Sequence, residues 1–170
     1  MQARAIVIRW EQDVDRPAIR RVNQAAFGTS EEADLVDTLR ADGVVLRSAV
    51  AEADGALVGH VLFSRMWIET AGAAIDAVAL APVAVQPSHQ RQGIGDRLIR
   101  FGLAALREDG ERIVLVVGHP PYYPRFGFSS ALAGSIESPF PADAFMALEL
   151  VPGALDGVSG RVRYPPAFGL

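Results

Sequence analysis

Gln90, Arg91, Gln92, Gly93, Ile94 and Gly95 form the segment of this sequence best suited to chemistry with an anion. Extended residues precede it and a helical pattern follows, so the first main-chain N–H groups of the helix point outward without intrahelical partners. Glycines at 93 and 95 remove the Cβ atoms that would keep a ligand away from the main chain. Three or four charge-assisted hydrogen bonds, each worth roughly 1.5–3 kcal/mol net, would anchor a diphosphate there. The helix dipole adds about 1 kcal/mol. The plainer alternative for two glycines is a tight turn. The dinucleotide fingerprint G-x-G-x-x-G fails because Leu98 stands where the third glycine belongs, and the P-loop fails for want of a lysine.

The remaining reactive residues are few. Cysteine is absent, which excludes disulfides, thiolate metal sites and a cysteine acyl-enzyme. All sixteen basic residues are arginine, so a Schiff-base lysine is excluded too. The three histidines, His60, His89 and His119, are too scattered to make a metal site, and no metal is expected. A net charge of −4, with no stretch of five basic residues, gives no reason to expect nucleic-acid binding. No apolar run approaches the eighteen or so residues that cross a bilayer, and residues 1–10 lack the h-region and cleavage site of a secretory signal. The expectation is a cytoplasmic protein that does not bind membranes.

The elements that must position these residues follow from periodicity and turn chemistry. Arg4 to Arg9 alternates and predicts a first strand. Asp13 or Asp15 is then the candidate cap of a helix with Pro17 in its first turn and Ile19, Val22 and Ala26 on its apolar face. A second helix is predicted from Thr29, which has capping-box spacing to Glu32, through Leu35, Val36 and Leu39 to a stop at Gly43. Val45 to Ala53 and Leu57 to Ile68 read as an antiparallel hairpin about Asp54-Gly55. Ile75 to Val85 is extended, and Pro82 within it lacks a ladder N–H, so the sheet is expected to open there. Apolar residues at 94, 98, 101, 105 and 106 predict a helix over Ile94 to Glu108, ended by Gly110. Ile113 to Val117 reads as a strand buried on both faces and parallel to the strand before the loop. Ala144 to Val151 and Arg161 to Tyr164 complete the strands. With no linker, repeat or low-complexity tract, residues 1–170 are expected to form a single domain of α/β (α+β) class around a largely antiparallel sheet.

Gln90, Gly93 and Gly95 match the Q/R-x-x-G-x-G/A signature of the GNAT acetyltransferase superfamily. Val83-Ala84-Val85-Gln86-Pro87 resembles the end of its strand ahead of that loop, and Tyr123-Pro124-Arg125-Phe126-Gly127-Phe128 resembles its Y-x-x-F-G-F element. Through Gly59-His60-Val61-Leu62-Phe63-Ser64 and Gly153 to Gly160 the chain is similar to the bacterial YhbS-like subgroup, over nearly its whole length. The resemblance implies a mixed, mostly antiparallel sheet with a splayed central pair of parallel strands, flanked by helices. It implies acetyl-CoA as co-substrate, with its pyrophosphate on the loop from Gln90 to Gly95 and its acetyl and pantetheine parts on the backbone of Val83 and Val85. It implies direct transfer of the acetyl group to a primary amine of a small molecule or peptide, in a ternary complex. Asp96 departs from what a pyrophosphate site wants, and is expected to point to solvent.

The resemblance makes Tyr123 the proton donor to the departing thiolate. A phenol near pKa 10 protonating a thiolate near 8.5 is uphill by about 2 kcal/mol. Packing beside Phe126 and Phe128 is the structural alternative, and Tyr122 is a second candidate. The base stays open: His119 follows the Ile113 to Val117 strand nearest the expected site, Asp76 and Glu69 are possible water-mediated relays, and His60 reads as a packed histidine. A non-catalytic acyl-CoA sensor would keep the loop and lose the acid and base. The acceptor and the oligomeric state are open, a homodimer being compatible with the sequence.

Overall fold

The structure, a computed structural model, describes residues 5–170. These fall into two compact units. The first runs to Phe63 and includes Ala81–Ala105; the second comprises Ser64–Leu80 and Leu106–Leu170.

In the first unit, β1 (Ile6–Trp10), β2 (Val45–Ala53) and β3 (Ala56–Glu69, its residues up to Phe63 here) are neighbours in that order. Arg4, at the start of the predicted first strand, lies outside the described residues. The β1–β2 ladder is antiparallel, with Ile8 opposite Ala51. Asp54 and Gly55 both adopt left-handed backbone, φ 51° and 79°, as a two-residue hairpin turn requires.

Two helices follow β1: α1 (Arg16–Phe27) and α2 (Glu31–Ala41). α1 begins directly after Asp15, which stands at the N-cap position without a side-chain cap bond. The Asp15 carboxylate is taken by the Arg9 guanidinium, at 2.7 and 2.9 Å, and by the Gln12 amide, which leaves it buried, ionised well below the usual range, and unable to cap. The buried face of α1 is Ile19, Val22 and Asn23 rather than Ala26. α2 starts at Glu31, two residues after Thr29, although Thr29 Oγ1 does donate to Glu32 Oε1 at 3.3 Å.

α3 (Ile94–Glu108) occupies the predicted range. Within the first unit it lies close on β3: a Cβ at Gly59 would meet Leu98 and Ile94 at 3.0 and 3.1 Å, and one at Gly102 would meet the Phe63 ring at 2.1 Å. His60, the next residue along β3, points the other way and meets Asn23 of α1. Alternation along one strand therefore puts helices on both of its faces.

In the second unit the strand order is β3, β4 (Ala74–Val85), β5 (Ile113–Val117) and β7 (Phe145–Glu149). β8 (Gly160–Arg163) pairs antiparallel with β3, and the two-residue β6 (Ile136–Glu137), not foreseen from the sequence, pairs parallel with β8. β4 and β5 run parallel, as expected, through Val78 opposite Val114 and Ala79 opposite Leu115. The ladder stops at Ala79 although β4 continues to Val85, and Pro82 lies in the continuation after a cis peptide bond. β5 is buried except at its last residue, Val117, which is 38% exposed. β7 and β8 are each shorter than or offset by a residue from the predicted runs. One face of this sheet packs Met66, Ile68, Ala79, Leu115 and Phe145 into the core of the unit.

Candidate acetyl-CoA site

The phosphate-loop candidates lie in the first unit. After Val85, the Gln86 amide bonds to Val58 O at 2.8 Å, and a 3₁₀ turn spans Pro87–His89. The Gln90 side chain turns back to donate to Val85 O at 3.1 Å, which ties the loop to the end of β4. Arg91 and Gly93 both have left-handed backbone, φ 63° and 77°. Such a pair of reversals turns successive N–H groups toward a common concavity. The first amide bonded back into the loop is that of Arg97, to Gly93 O at 3.1 Å. Among the described residues the amides ahead of it, from Gln92 to Gly95, have no main-chain acceptor.

Gly93 is required by conformation rather than space, since a Cβ there would meet nothing within 4 Å. Ile94 is buried and anchors the start of α3, while Arg91, Gln92 and Gly93 are exposed. Asp96 corrects an expectation: it is half-buried and engaged within the chain rather than directed freely to solvent. Val83 and Val85 are half-buried on either side of the buried Ala84. His89 is half-buried, its Nδ1 2.8 Å from Ser88 Oγ.

His119 and Tyr123 lie in the second unit, in the turn after β5. Val117 stands opposite Phe145, and the Gly118 amide donates to Ala144 O at 3.0 Å. The Tyr122 amide donates to His119 O, and a 3₁₀ turn over Tyr123–Phe126 ends at Gly127, φ 98°. Gly118 admits the Tyr123 ring: a Cβ at that position would stand 2.2 Å from Tyr123 Cε2. Phe128 meets the same ring edge-on at 5.8 Å, and Phe126 lies 6.3 Å away. The ring of Tyr123 is thus packed as the structural alternative expects. Burial pushes that phenol above its ordinary pKa, so it stays protonated at neutral pH. Tyr122 instead stacks under Arg125, whose guanidinium carbon is 4.4 Å from the ring centroid. His119 is exposed.

The other candidates are held elsewhere. His60 is fully buried, with Nδ1 3.2 Å from Asn23 Nδ2 and Nε2 3.0 Å from Ser48 Oγ. Asn23 can only donate there, so Nδ1 accepts and Nε2 carries the proton toward Ser48. Ser48 in turn donates to Glu11 at 2.6 Å, and Glu11 pairs with Arg40. Burial first, and the Arg40 charge second, drive the His60 pKa down to about 3. Sequence reasoning read His60 as packed but missed this five-residue network, whose members are spread from residue 11 to residue 60. Glu69 is paired with Arg163 at 2.6 Å, and Asp76 is exposed. Among the described residues no three histidine, cysteine or acidic side chains gather as a metal site. Among them, too, no helix is long and apolar enough to cross a membrane.

A strand that outruns its parallel ladder, followed by a glycine-bearing turn at a helix N-terminus, is the arrangement that the acetyltransferase resemblance calls for. The acetyltransferase (GNAT) domain profile matches residues 8–131, and the chain belongs to the GNAT acetyltransferase family. It is 35% identical over 166 residues, 96% of this chain and 98% of the relative, to the uncharacterized N-acetyltransferase YhbS of Escherichia coli (strain K12). The crystal structure of E. coli YhbS in complex with CoA matches with a TM-score of 0.90 at 34% identity, covering 100% of this chain and 95% of that one. A GNAT family acetyltransferase from Brucella melitensis in complex with acetyl-CoA matches with a TM-score of 0.81 at 38% identity, over 96% and 98% of the two chains. The GNAT fold expected from the sequence is therefore present: a mixed, mostly antiparallel sheet with a parallel β4–β5 pair, flanked by helices.

Proposed function

We propose that this chain, acting as one acetyltransferase domain, moves the acetyl group of acetyl-CoA directly to a primary amine, without a covalent enzyme intermediate. The observation that carries this reading is the left-handed backbone at Arg91 and Gly93 beside the amides of Gln92 to Gly95, which among the described residues have no main-chain acceptor. In this proposal the amides from Gln92 to Gly95 hold the cofactor pyrophosphate, and the exposed Arg91 side chain adds positive charge at the mouth. Main-chain groups of Val83 and Val85, on the part of β4 beyond its ladder with β5, take the pantetheine and acetyl parts. The CoA and acetyl-CoA bound by the E. coli and Brucella relatives support the choice of ligand.

The chemistry needs a neutral amine, and deprotonating a lysine-like amine at pH 7 costs roughly 4–5 kcal/mol. The amine nitrogen attacks the thioester carbon, the C–S bond breaks, and the sulfur takes a proton. Tyr123 is the proton donor in this scheme. A raised phenol pKa alone would make transfer more uphill, but burial raises the pKa of a thiolate in the same surroundings, so the difference between them is what counts. His119, exposed at the turn after β5, is the proposed base or relay to solvent.

Single-turnover release of CoA over a broad panel of primary amines tests the reading, with Tyr123→Phe alongside. Release with at least one amine, slowed strongly by Tyr123→Phe, is expected. Acetyl-CoA binding with no release from any amine would instead make the protein a sensor of acyl-CoA.

A further inference from the structure

The second unit contains a cavity of about 720 Å³ that the cofactor proposal does not use. Its size falls in the range that encloses most of a small organic ligand. Phe140, Tyr164 and Phe145 wall it, with Ile136 and Val162 beside them. The Phe140 and Tyr164 rings meet edge to face at 6.0 Å, and Phe168 backs Tyr164 at 5.0 Å, so the aromatic wall is braced from behind. Such a wall offers apolar area with few rotors to freeze on binding.

The charges at this cavity are already matched. Glu69 pairs with Arg163 at 2.6 Å, and Glu137 with Arg161 at 2.9 Å. Both glutamates on the wall are thus held by arginines, which weakens their pull on an ammonium in its charged, non-nucleophilic form. An apolar surround acts the other way and favours the neutral amine.

The cavity also touches the strand ends that carry the turn described above. Phe145 and Ala142 line it; Phe145 is the ladder partner of Val117, and Ala144 O holds the Gly118 amide, one residue before His119. Resting on the acetyl-transfer reading, we propose that this cavity receives the apolar body of the acceptor, which makes the acceptor class hydrophobic primary amines of arylalkyl type rather than small polar amines or polyamines. The amine end lies toward Phe145. Its nitrogen forms the new N–C bond as the C–S bond breaks, giving the amide and free CoA thiol with no other reactant.

Ala142 is exposed on the cavity wall, so Ala142→Trp fills the space without removing core packing. Initial rates of CoA release are measured for the whole protein and this variant with 2-phenylethylamine, ethanolamine and spermidine. The proposal expects kcat/KM for 2-phenylethylamine at least tenfold above both polar amines. It also expects a tenfold or larger rise in KM for 2-phenylethylamine in Ala142→Trp, with CoA affinity unchanged. Equal or better use of the polar amines, or indifference to Ala142→Trp, overturns the cavity assignment and leaves acetyl transfer standing. No release from any amine while acetyl-CoA binds overturns the transfer reading, and the acceptor assignment falls with it.

Discussion

The loop at the head of α3 is made of main chain, whereas the cavity of the second unit is made of side chains. In the loop, two left-handed residues and a run of amides that have no main-chain acceptor among the described residues lie together in sequence, so one glycine controls the feature. In the cavity, Ile136, Phe140, Phe145 and Tyr164 come from β6, a loop, β7 and the segment just after β8. A recognition surface of the first kind is intolerant of change at few positions. One of the second kind can be reshaped one residue at a time, which is how a single fold serves many acceptors.

That contrast predicts where substitution acts most strongly. Tyr123→Phe removes one oxygen and keeps the ring packed on Gly118, Phe126 and Phe128. It should lower kcat by about 10²–10⁴-fold, the usual range for a positioned acid, while the Kd for CoA changes less than about twofold. Rapid-quench measurement of CoA release separates the two, and an unchanged kcat would return Tyr123 to a packing role alone. Gly93→Val places a β-branched residue at φ 77°, a conformation such side chains reject. CoA affinity should fall by about 100-fold in calorimetric titration, and near-native affinity would move the diphosphate off this turn.

Stability should respond to pH through the first unit. His60 has a pKa near 3 when folded and an ordinary value near 6.5 when unfolded, so the unfolded chain binds more protons between those limits. The contribution is therefore full above pH 6.5 and is lost progressively as pH falls toward 3, by roughly 4–5 kcal/mol in all. Urea titrations across this window, with His60→Gln as the comparison, should show a shallower pH dependence in the variant. Gly102→Ala is the mildest of these tests. Helix propensity favours alanine by about 1 kcal/mol, yet the added methyl would sit against the buried Phe63 ring, so a net loss of about 1–2 kcal/mol is expected. Phe63→Leu in the same chain should recover part of it.

The sequence made the first of the two regions far more legible than the second. The range of α3 and the Asp54-Gly55 turn follow from patterns within about fifteen residues, where periodicity and turn chemistry act, and the parallel β4–β5 pair follows from the strand–helix–strand order that such local patterns compose. The loop from Gln90 to Gly95 is of the same local kind. Asp15 illustrates the opposite case: its position suits a helix cap, but Arg9 takes its carboxylate. The Glu11, Asn23, Arg40, Ser48 and His60 network likewise joins two helices, a loop and two strands, and no spacing rule relates its members. β6 is only two residues long and exists because β8 offers it an edge. The cavity depends on distant pairings within the second unit, β6 with β8 and β5 with β7, so its walls became visible only in the folded chain.

The most direct test of the central claim is thermal unfolding with acetyl-CoA, ATP and NAD compared at equal concentration. At a hundred times its Kd, a ligand of the folded state adds about 2.7 kcal/mol, which for a chain of this size raises Tm by roughly 5–10 °C. Acetyl-CoA and CoA should produce that rise, and the two nucleotides should leave Tm unchanged. Stabilisation by ATP or NAD with none from CoA would contradict the acetyltransferase account.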